Sequence, residues 1–373
     1  MRHLFFIASF VIGLVSYGQK DYPCHMWKRY TQNCLTGFVD PEGMVMIEPQ
    51  FEYATDFSDG RAFVWNYLDQ ADEKAVVPLG EEYQNYESFG LGGNRKTGII
   101  DSTGKFVVEP KVNFIVYSAF IDSIALVRID NKYEIIDING AVVSNTYQNY
   151  FEKVIYKNLI KGKSDNLKPG SKCYMTRKKQ FVSGPYQNCE PYSEGYGAVR
   201  IGGKYGYVNL KGEMKIVPQF MDAHQFSNGY AVVSVLASKA DTRNKNFGLI
   251  DTNGTFVIAP NHYRLGKFSE GKIAFFTRKN KKTKYGFLDV KGNVVIKPKY
   301  EHVKMFKNGL AAVKIKEKYG YINSDGKMTI PAKFLNAQDF KYGTALVQVS
   351  KKKWAFINLD GEIIVGPWKR NCN

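Results

Sequence analysis

Few residues of this chain are of types that do chemistry by themselves, and their spacing decides what each could do. Beyond the amino-terminal segment the histidines are His25, His224, His262 and His302, the last three in links between apolar runs. A catalytic imidazole needs a carboxylate to orient it and a nucleophile within reach. No G-x-S-x-G, H-E-x-x-H or phosphate-cradling glycine loop accompanies them, and "GLGGN" from Gly90 stands alone as a flexible loop. The histidines read as link residues, and no catalytic residue is assigned. Asp40, Asp101, Asp137, Asp251 and Asp289 each open a four-residue run closed by glycine, which invites a calcium site. Asn holds the same place at Asn209, Asn323 and Asn358. Such interchange is foreign to a ligand carboxylate and ordinary for a side chain that bonds its own turn. No metal and no cofactor is expected.

Cysteine and charge say more about surroundings than about reactions. The cysteines are Cys24, Cys34, Cys173, Cys189 and Cys372, without the paired CxxC spacing of a zinc site. The opening "MRHLFFIASFVIGLVSYGQK" has the build of a secretory signal: Arg2, an apolar run from Leu4 to Val15, then Ser16 and Gly18 before a cut at Gln19. The alternative is an uncleaved anchor, but the run is short of the ~20 residues a span needs. The expectation is a signal peptide over 1–18 and a mature chain over 19–373 outside the cytoplasm, periplasmic or released. In an oxidising compartment near neighbours should pair, Cys24 with Cys34 and Cys173 with Cys189, leaving Cys372 free. The formal charge of +17 favours acidic partners. Outside the cytoplasm these are anionic glycans, lipid head groups or acidic proteins, with no nucleic acid expected and no membrane span after cleavage.

The elements that carry these residues repeat. The glycine-closed tetrads end at Gly43, Gly104, Gly140, Gly212, Gly254, Gly292, Gly326 and Gly361, each led by Asp or Asn. That pattern suits a type I turn followed by a left-handed residue, the three-residue hairpin loop. Proline follows at Pro49, Pro110, Pro218, Pro260, Pro298 and Pro367, marking a strand end or an edge. Next come a short link, an F-x-x-G such as "FSNG" from Phe226, and an alternating run such as "LAAVKIK" from Leu310. One unit thus reads strand A, strand B, hairpin turn, strand C, link. The spacing yields about nine units. One, over 145–190, is degenerate and carries Cys173 and Cys189; another has an insert over 66–95 with Asp69, Asp72, Glu73, Glu81, Glu82 and Glu87.

The motif in "KYGYVNLKGEMKIVPQF" from Lys204, "KYGFLDVKGNVVIKPKY" from Lys284 and "KYGYINSDGKMTIPAKF" from Lys318, with F-x-x-G-x-A-x-V beyond it, resembles the WG repeats. The tryptophan of that name is here mostly tyrosine (Tyr205, Tyr285, Tyr319), with Phe247 and Trp354 as variants, and Ala355 follows Trp354. The resemblance implies a β-rich repeat with a bias towards interaction and no reaction. The residues lead to the same class, because three short strands cannot bury an apolar face unaided and units must stack. The expected fold is all-β: about nine three-stranded repeats stacked as an open solenoid or superhelix, with a closed β-propeller as the alternative.

Two side-chain sets then acquire positions. The aromatic column reads as the spine of the stack, with a sugar-stacking ladder as the other possibility, and Tyr207, Phe287, Tyr321 and Phe356 lie two residues on, on the same side. Basic residues gather in the A–B connections: Lys204, Lys245, Arg278, Lys279, Lys281, Lys282, Lys284, Lys316, Lys318, Lys351, Lys352 and Lys353. Equivalent turns of stacked units fall along one edge, so these residues should form a basic ridge, or else keep strand edges soluble. The functional expectation is a binding or scaffold protein without catalysis. It would mediate protein–protein contact in the cell envelope, or bind an anionic glycan or surface polymer through the ridge.

Overall fold

The computed structural model describes residues 22–32, 34–67, 95–130, 132–145, 155–156, 159–162, 172–176, 181–238, 244–279 and 282–369. The signal segment, most of the acidic insert and the degenerate turn after Thr176 lie outside the described residues. Apart from a 3-10 turn at Cys24–Met26, the described elements are β-strands in nine antiparallel sheets, numbered here along the chain. None of these sheets closes on itself as a barrel. The degenerate unit is sheet four: Ile155–Tyr156, Leu159–Gly162, Lys172–Thr176 and Phe181–Tyr186 pair in the same order as the others.

Sheet eight shows the pattern. Strand A is Ala311–Ile315, strand B is Lys318–Ile322 and strand C is Met328–Phe334. A short edge strand, His302–Val303, pairs with the free side of strand A. This fourth strand is where sequence and structure differ, since the expected unit had three. The edge strand comes from the link, two residues beyond the end of the preceding strand C, and is too short to show a period. Among the described residues sheet one alone has three strands: Lys28–Gln32, Leu35–Val39 and Val45–Phe51. Strand C is the other edge of every sheet, where proline costs no ladder bond.

The tetrads form the B–C turns as read. Asp289 Oδ1 accepts the backbone N–H of Lys291 at 2.9 Å and of Asn293 at 2.8 Å, and Asn323 Oδ1 does the same for Asp325 and Lys327. The glycine of each described tetrad is left-handed, as at Gly326 (φ 78°). It also touches the preceding unit: a Cβ there would lie 3.2 Å from Ile296 Cγ1 of sheet seven. The F-x-x-G runs are hairpin tips too. Asn228 (φ 54°) and Gly229 (φ 79°) are both left-handed and Ser227 pairs with Tyr230, the two-residue type I′ geometry. The phenylalanine ahead of each tip staples units together, as Phe306 packs on Phe287 of the preceding sheet with ring centroids 4.8 Å apart. Adjacent tips are bonded: Glu194 accepts from the N–H of Asn228 (2.6 Å) and of Gly229 (2.8 Å).

An open stack and a closed ring differ only where the array begins and ends. Here the first and last units meet. Tyr30 and Val39 of sheet one share a buried cluster with Phe356 of sheet nine, against which Val365 and Trp368 pack. A Cβ on Gly43 would lie 3.2 Å from Val365 Cγ2. Val365 stands four residues after its tetrad glycine, as Ile296 and Ile330 do, so the first unit takes the ninth as its preceding neighbour. That is the contact of the closed, propeller-like arrangement.

The expected cysteine pairs do not form. Cys24 and Cys189 are both thiols, which excludes Cys24–Cys34 and Cys173–Cys189. Cys24 packs against the core of the first two sheets, and Cys189 is wholly buried on the edge strand of sheet five. Cys34, in the A–B turn of sheet one, is disulfide-bonded.

Candidate binding edge

Each A–B hairpin brings its basic residues to the same end of its sheet. Lys204, Lys245, Lys318 and Lys353 are the first residues of strand B in sheets five, six, eight and nine, and Lys282 is that of sheet seven. Lys204, Arg278, Lys282, Lys316, Lys351, Lys352 and Lys353 are exposed, while Lys284 and Lys318 are half-buried. Two departures narrow the set. Lys245 is turned inward, its Nζ 2.9 Å from both carboxylate oxygens of Asp222. The Lys279 side chain and all of Lys281 lie outside the described residues. The acidic insert leaves from the same end, since Tyr67 pairs with Arg95 on either side of 68–94.

The tip of sheet eight is held in a strained form. Lys316 (φ 46°) and Glu317 (φ 65°) are both left-handed without being glycine. Glu301 accepts their two N–H groups at 3.1 and 3.2 Å, and these bonds, that from Glu317 first, hold its carboxyl below the usual range. Glu317 in turn meets Lys314 Nζ at 2.7 Å. Both carboxylates near this tip are thus engaged within the protein, while Lys316 points to solvent.

The aromatic column divides by depth. Tyr207, Phe287 and Tyr321 are fully buried, and Tyr207 and Tyr321 donate to His224 O and Gln338 O at 2.7 Å each. Tyr205, Phe247, Tyr285 and Tyr319, one step nearer the A–B tips, are only half-buried; Trp354 is buried. In sheets seven and eight the half-buried rings join a chain. Tyr263 meets Phe276 at 5.7 Å between centroids, Phe276 meets Tyr285 at 5.5 Å, Tyr285 meets His302 at 5.7 Å and His302 meets Tyr319 at 6.1 Å. Desolvation, with Lys304 and Lys314 adding to it, lowers the pKa of the His302 imidazole.

Tyr263, Phe276 and His302 carry no repeat signal. Tyr263 and His302 sit in links, and the strand A place of Phe276 is held by Arg200, Ser234, Lys314 and Gln348 in other sheets. Desolvation lowers the pKa of His224, an exposed link residue, and of His262, half-buried at the end of strand C of sheet six. His25 packs edge-on against Tyr342. Among the described residues no group of His, Cys, Asp or Glu is placed to hold a metal ion.

No curated protein matches the chain in sequence. Solved structures similar to it include a eukaryotic initiation factor, at 11% identity and TM-score 0.42, covering 72% of this chain and 92% of that one. Dipeptidyl peptidase 4 of Porphyromonas gingivalis is similar at 10% identity and TM-score 0.45, covering 92% of this chain and 58% of that one. PorZ, described as a surface component of the type-IX secretion system of the same organism, is similar at 10% identity and TM-score 0.33, covering 90% and 38%. The sequence itself matches one family along most of its length, the WG containing repeat, over residues 37–64, 98–133, 185–205, 205–235, 247–282, 285–319 and 319–354. Six of the matches run from a strand B across a B–C turn into the next unit, and that over 185–205 runs from strand C of sheet four to strand B of sheet five; this is the repeat traced above, and the chain belongs to the WG containing repeat family.

Proposed function

We propose that the protein is a non-catalytic binding protein of the cell envelope, acting outside the cytoplasm, and that its A–B edge takes an anionic surface polymer. The carrying observation is the run of exposed cations on the hairpin tips of sheets seven, eight and nine: Arg278, Lys282, Lys316, Lys351, Lys352 and Lys353. The carboxylates beside the sheet eight tip, Glu301 and Glu317, are already bonded within the protein. Cations on adjacent tips offer a long anionic chain several weak contacts at once, which multiply in effect when linked. A second reading, protein–protein contact, draws on the acidic insert, which leaves from this same edge at sheet two.

The test is retention of the chain over 19–373 on its own envelope fraction across a salt series, beside a variant with Glu at Lys282, Lys316, Lys351, Lys352 and Lys353. Polymer binding at this edge predicts retention that falls steeply with salt and is lost in the variant. Salt-resistant retention, equal in both proteins, would reject the edge and turn the search to a packed protein interface.

A further inference from the structure

We infer that the polymer taken by the A–B edge is an acidic glycan, and that the ring chain Tyr263–Phe276–Tyr285–His302–Tyr319 is the ledge on which its sugars lie. This inference rests on the reading of the edge as a polyanion site, and names the class of polymer. Charge alone does not explain the rings. Tyr263 is 70% exposed and His302 is exposed, while Phe276, Tyr285 and Tyr319 are half-buried. Each ring touches the next, at centroid separations of 5.5–6.1 Å, across the boundary between sheets seven and eight. A core would bury these rings. Here they form a narrow shelf open to water.

The flanks of the shelf carry the complementary chemistry. Within sheet seven, Arg278 pairs with Thr283 one step tipward of the Phe276–Tyr285 pair on the same face, and Lys282 lies beyond it. Within sheet eight, Lys314 stands across from both His302 and Tyr319, and exposed Lys316 tops the hairpin. A pyranose ring has an apolar face bounded by hydroxyls, which suits an aromatic face with a phenol or ammonium at its rim. A uronate carboxylate or a phosphate substituent suits the guanidinium of Arg278 and the ammonium of Lys282. The rings stand in single file, each meeting the next, which fits a single extended chain. The His302 ring, 5.7 Å from Tyr285 and 6.1 Å from Tyr319, keeps the shelf continuous across the two sheets.

The experiment is calorimetric titration of the full mature chain with three probes: an oligogalacturonate, its carboxyl-reduced neutral counterpart, and polyglutamate of matched charge. Two variants accompany it, Tyr263→Ala with His302→Ala, which removes the most exposed rings, and Lys282→Glu with Lys316→Glu. Melting curves establish that each variant is folded. Stacking on the shelf predicts tightest binding of the acidic sugar, with about a tenfold loss in the ring variant, the size of a 1.4 kcal/mol change. The neutral sugar should bind more weakly and with little salt dependence. If polyglutamate binds as tightly as the sugar and the ring variant binds both unaltered, the shelf is overturned and the edge stands as a site for polyanions of any backbone. If no probe binds at low salt, both the shelf and the polyanion reading fall.

Discussion

A methyl group on Gly320 would lie 2.5 Å from Ile330 O and 2.7 Å from the backbone nitrogen of Ala332, and one on Gly248 would lie 2.6 Å from Ile258 O. The glycine that follows the aromatic in this repeat is therefore fixed by the approach of strand C, whose backbone cannot give way cheaply. Sheets three and nine depart from it: in sheet three Glu134 holds the place, and in sheet nine Ala355 stands on strand B and the glycine has moved across to Gly366 on strand C, where a Cβ would lie 2.9 Å from Trp354 O. Gly320→Ala is expected to destabilise by about 1–3 kcal/mol through overpacking, read as a shift in the urea midpoint. A second residue is poorly placed in the native fold. Asp339 Oδ1 is buried and accepts no hydrogen bond, and burial, opposed by Lys304 and Lys307, pushes its carboxyl up to about 6. Asp56 holds the same place before its tip phenylalanine, yet meets Arg29 Nε at 2.7 Å. Arg29 pairs with Phe38 on strand A of sheet one; the corresponding partner of Tyr321 in sheet eight is Ala312, which offers no charge. A carboxyl raised in the folded state favours folding where it is protonated, below its unfolded value, and loses that contribution as pH rises through about 6. Asp339→Asn should therefore stabilise by about 1–3 kcal/mol at pH 7, with the gain over the parent shrinking to nothing near pH 4. An equal gain at both pH values would show that ionisation is not the cause.

Among elements, the B–C turn is the most sharply specified. Asp289 Oδ1 bonds two backbone N–H groups, and its other oxygen bonds Asn293 Nδ2 at 2.8 Å. Asn at this place keeps the Oδ1 acceptor, as Asn323 and Asn358 do natively. Asp289→Asn should change stability by less than about 0.5 kcal/mol and Asp289→Ala should cost about 1–2 kcal/mol; equal losses would mean the side-chain oxygen is not what holds the turn. These turns were legible because their chemistry is local: one side chain and one left-handed glycine define each within four residues, and a proline follows most of them. The edge strands were not, since two residues such as His302–Val303 have no period, and they form only because strand A offers a free side. The tips around Asn228–Gly229 carry the Asn-Gly signature of a two-residue hairpin, which the phenylalanine ahead of them overshadowed as a marker. The cysteine pairing failed because sequence distance says nothing about which way a strand faces, and Cys189 faces the core. At the candidate site the lysines could be read from the connections they crowd. The ring chain could not, because Tyr263 and His302 come from links and meet strand residues only after the sheets pack.

At the scale of the whole molecule, stability depends on whether the ends stay together. A repeat array whose units touch only their neighbours has two exposed ends and unfolds from them; an array whose ends meet has none. Among the described residues sheet one has no fourth strand, and its strand A lies against sheet nine. Charge gathers at the same seam: Lys28 and Lys341 each stand 5.1 Å from the ring centroid of Tyr342, and burial, with Lys341 adding to it, pushes Lys28 down to about 8. Two left-handed glycines separate backbone strain from seam contact. A methyl group on Gly60 (φ 75°) would have nothing within 4 Å, whereas one on Gly43 (φ 92°) would face Ile364 O at 2.9 Å and Val365 Cγ2 at 3.2 Å. Gly60→Ala should lose only the cost of a left-handed alanine, about 1–2 kcal/mol. Gly43→Ala should lose about 1–3 kcal/mol more, matching Gly361→Ala, whose methyl would meet Ile330 Cγ2 at 2.7 Å within the array. Equal losses at Gly43 and Gly60 in chemical denaturation would mean that the seam is open in solution, and that the first and last units fray independently.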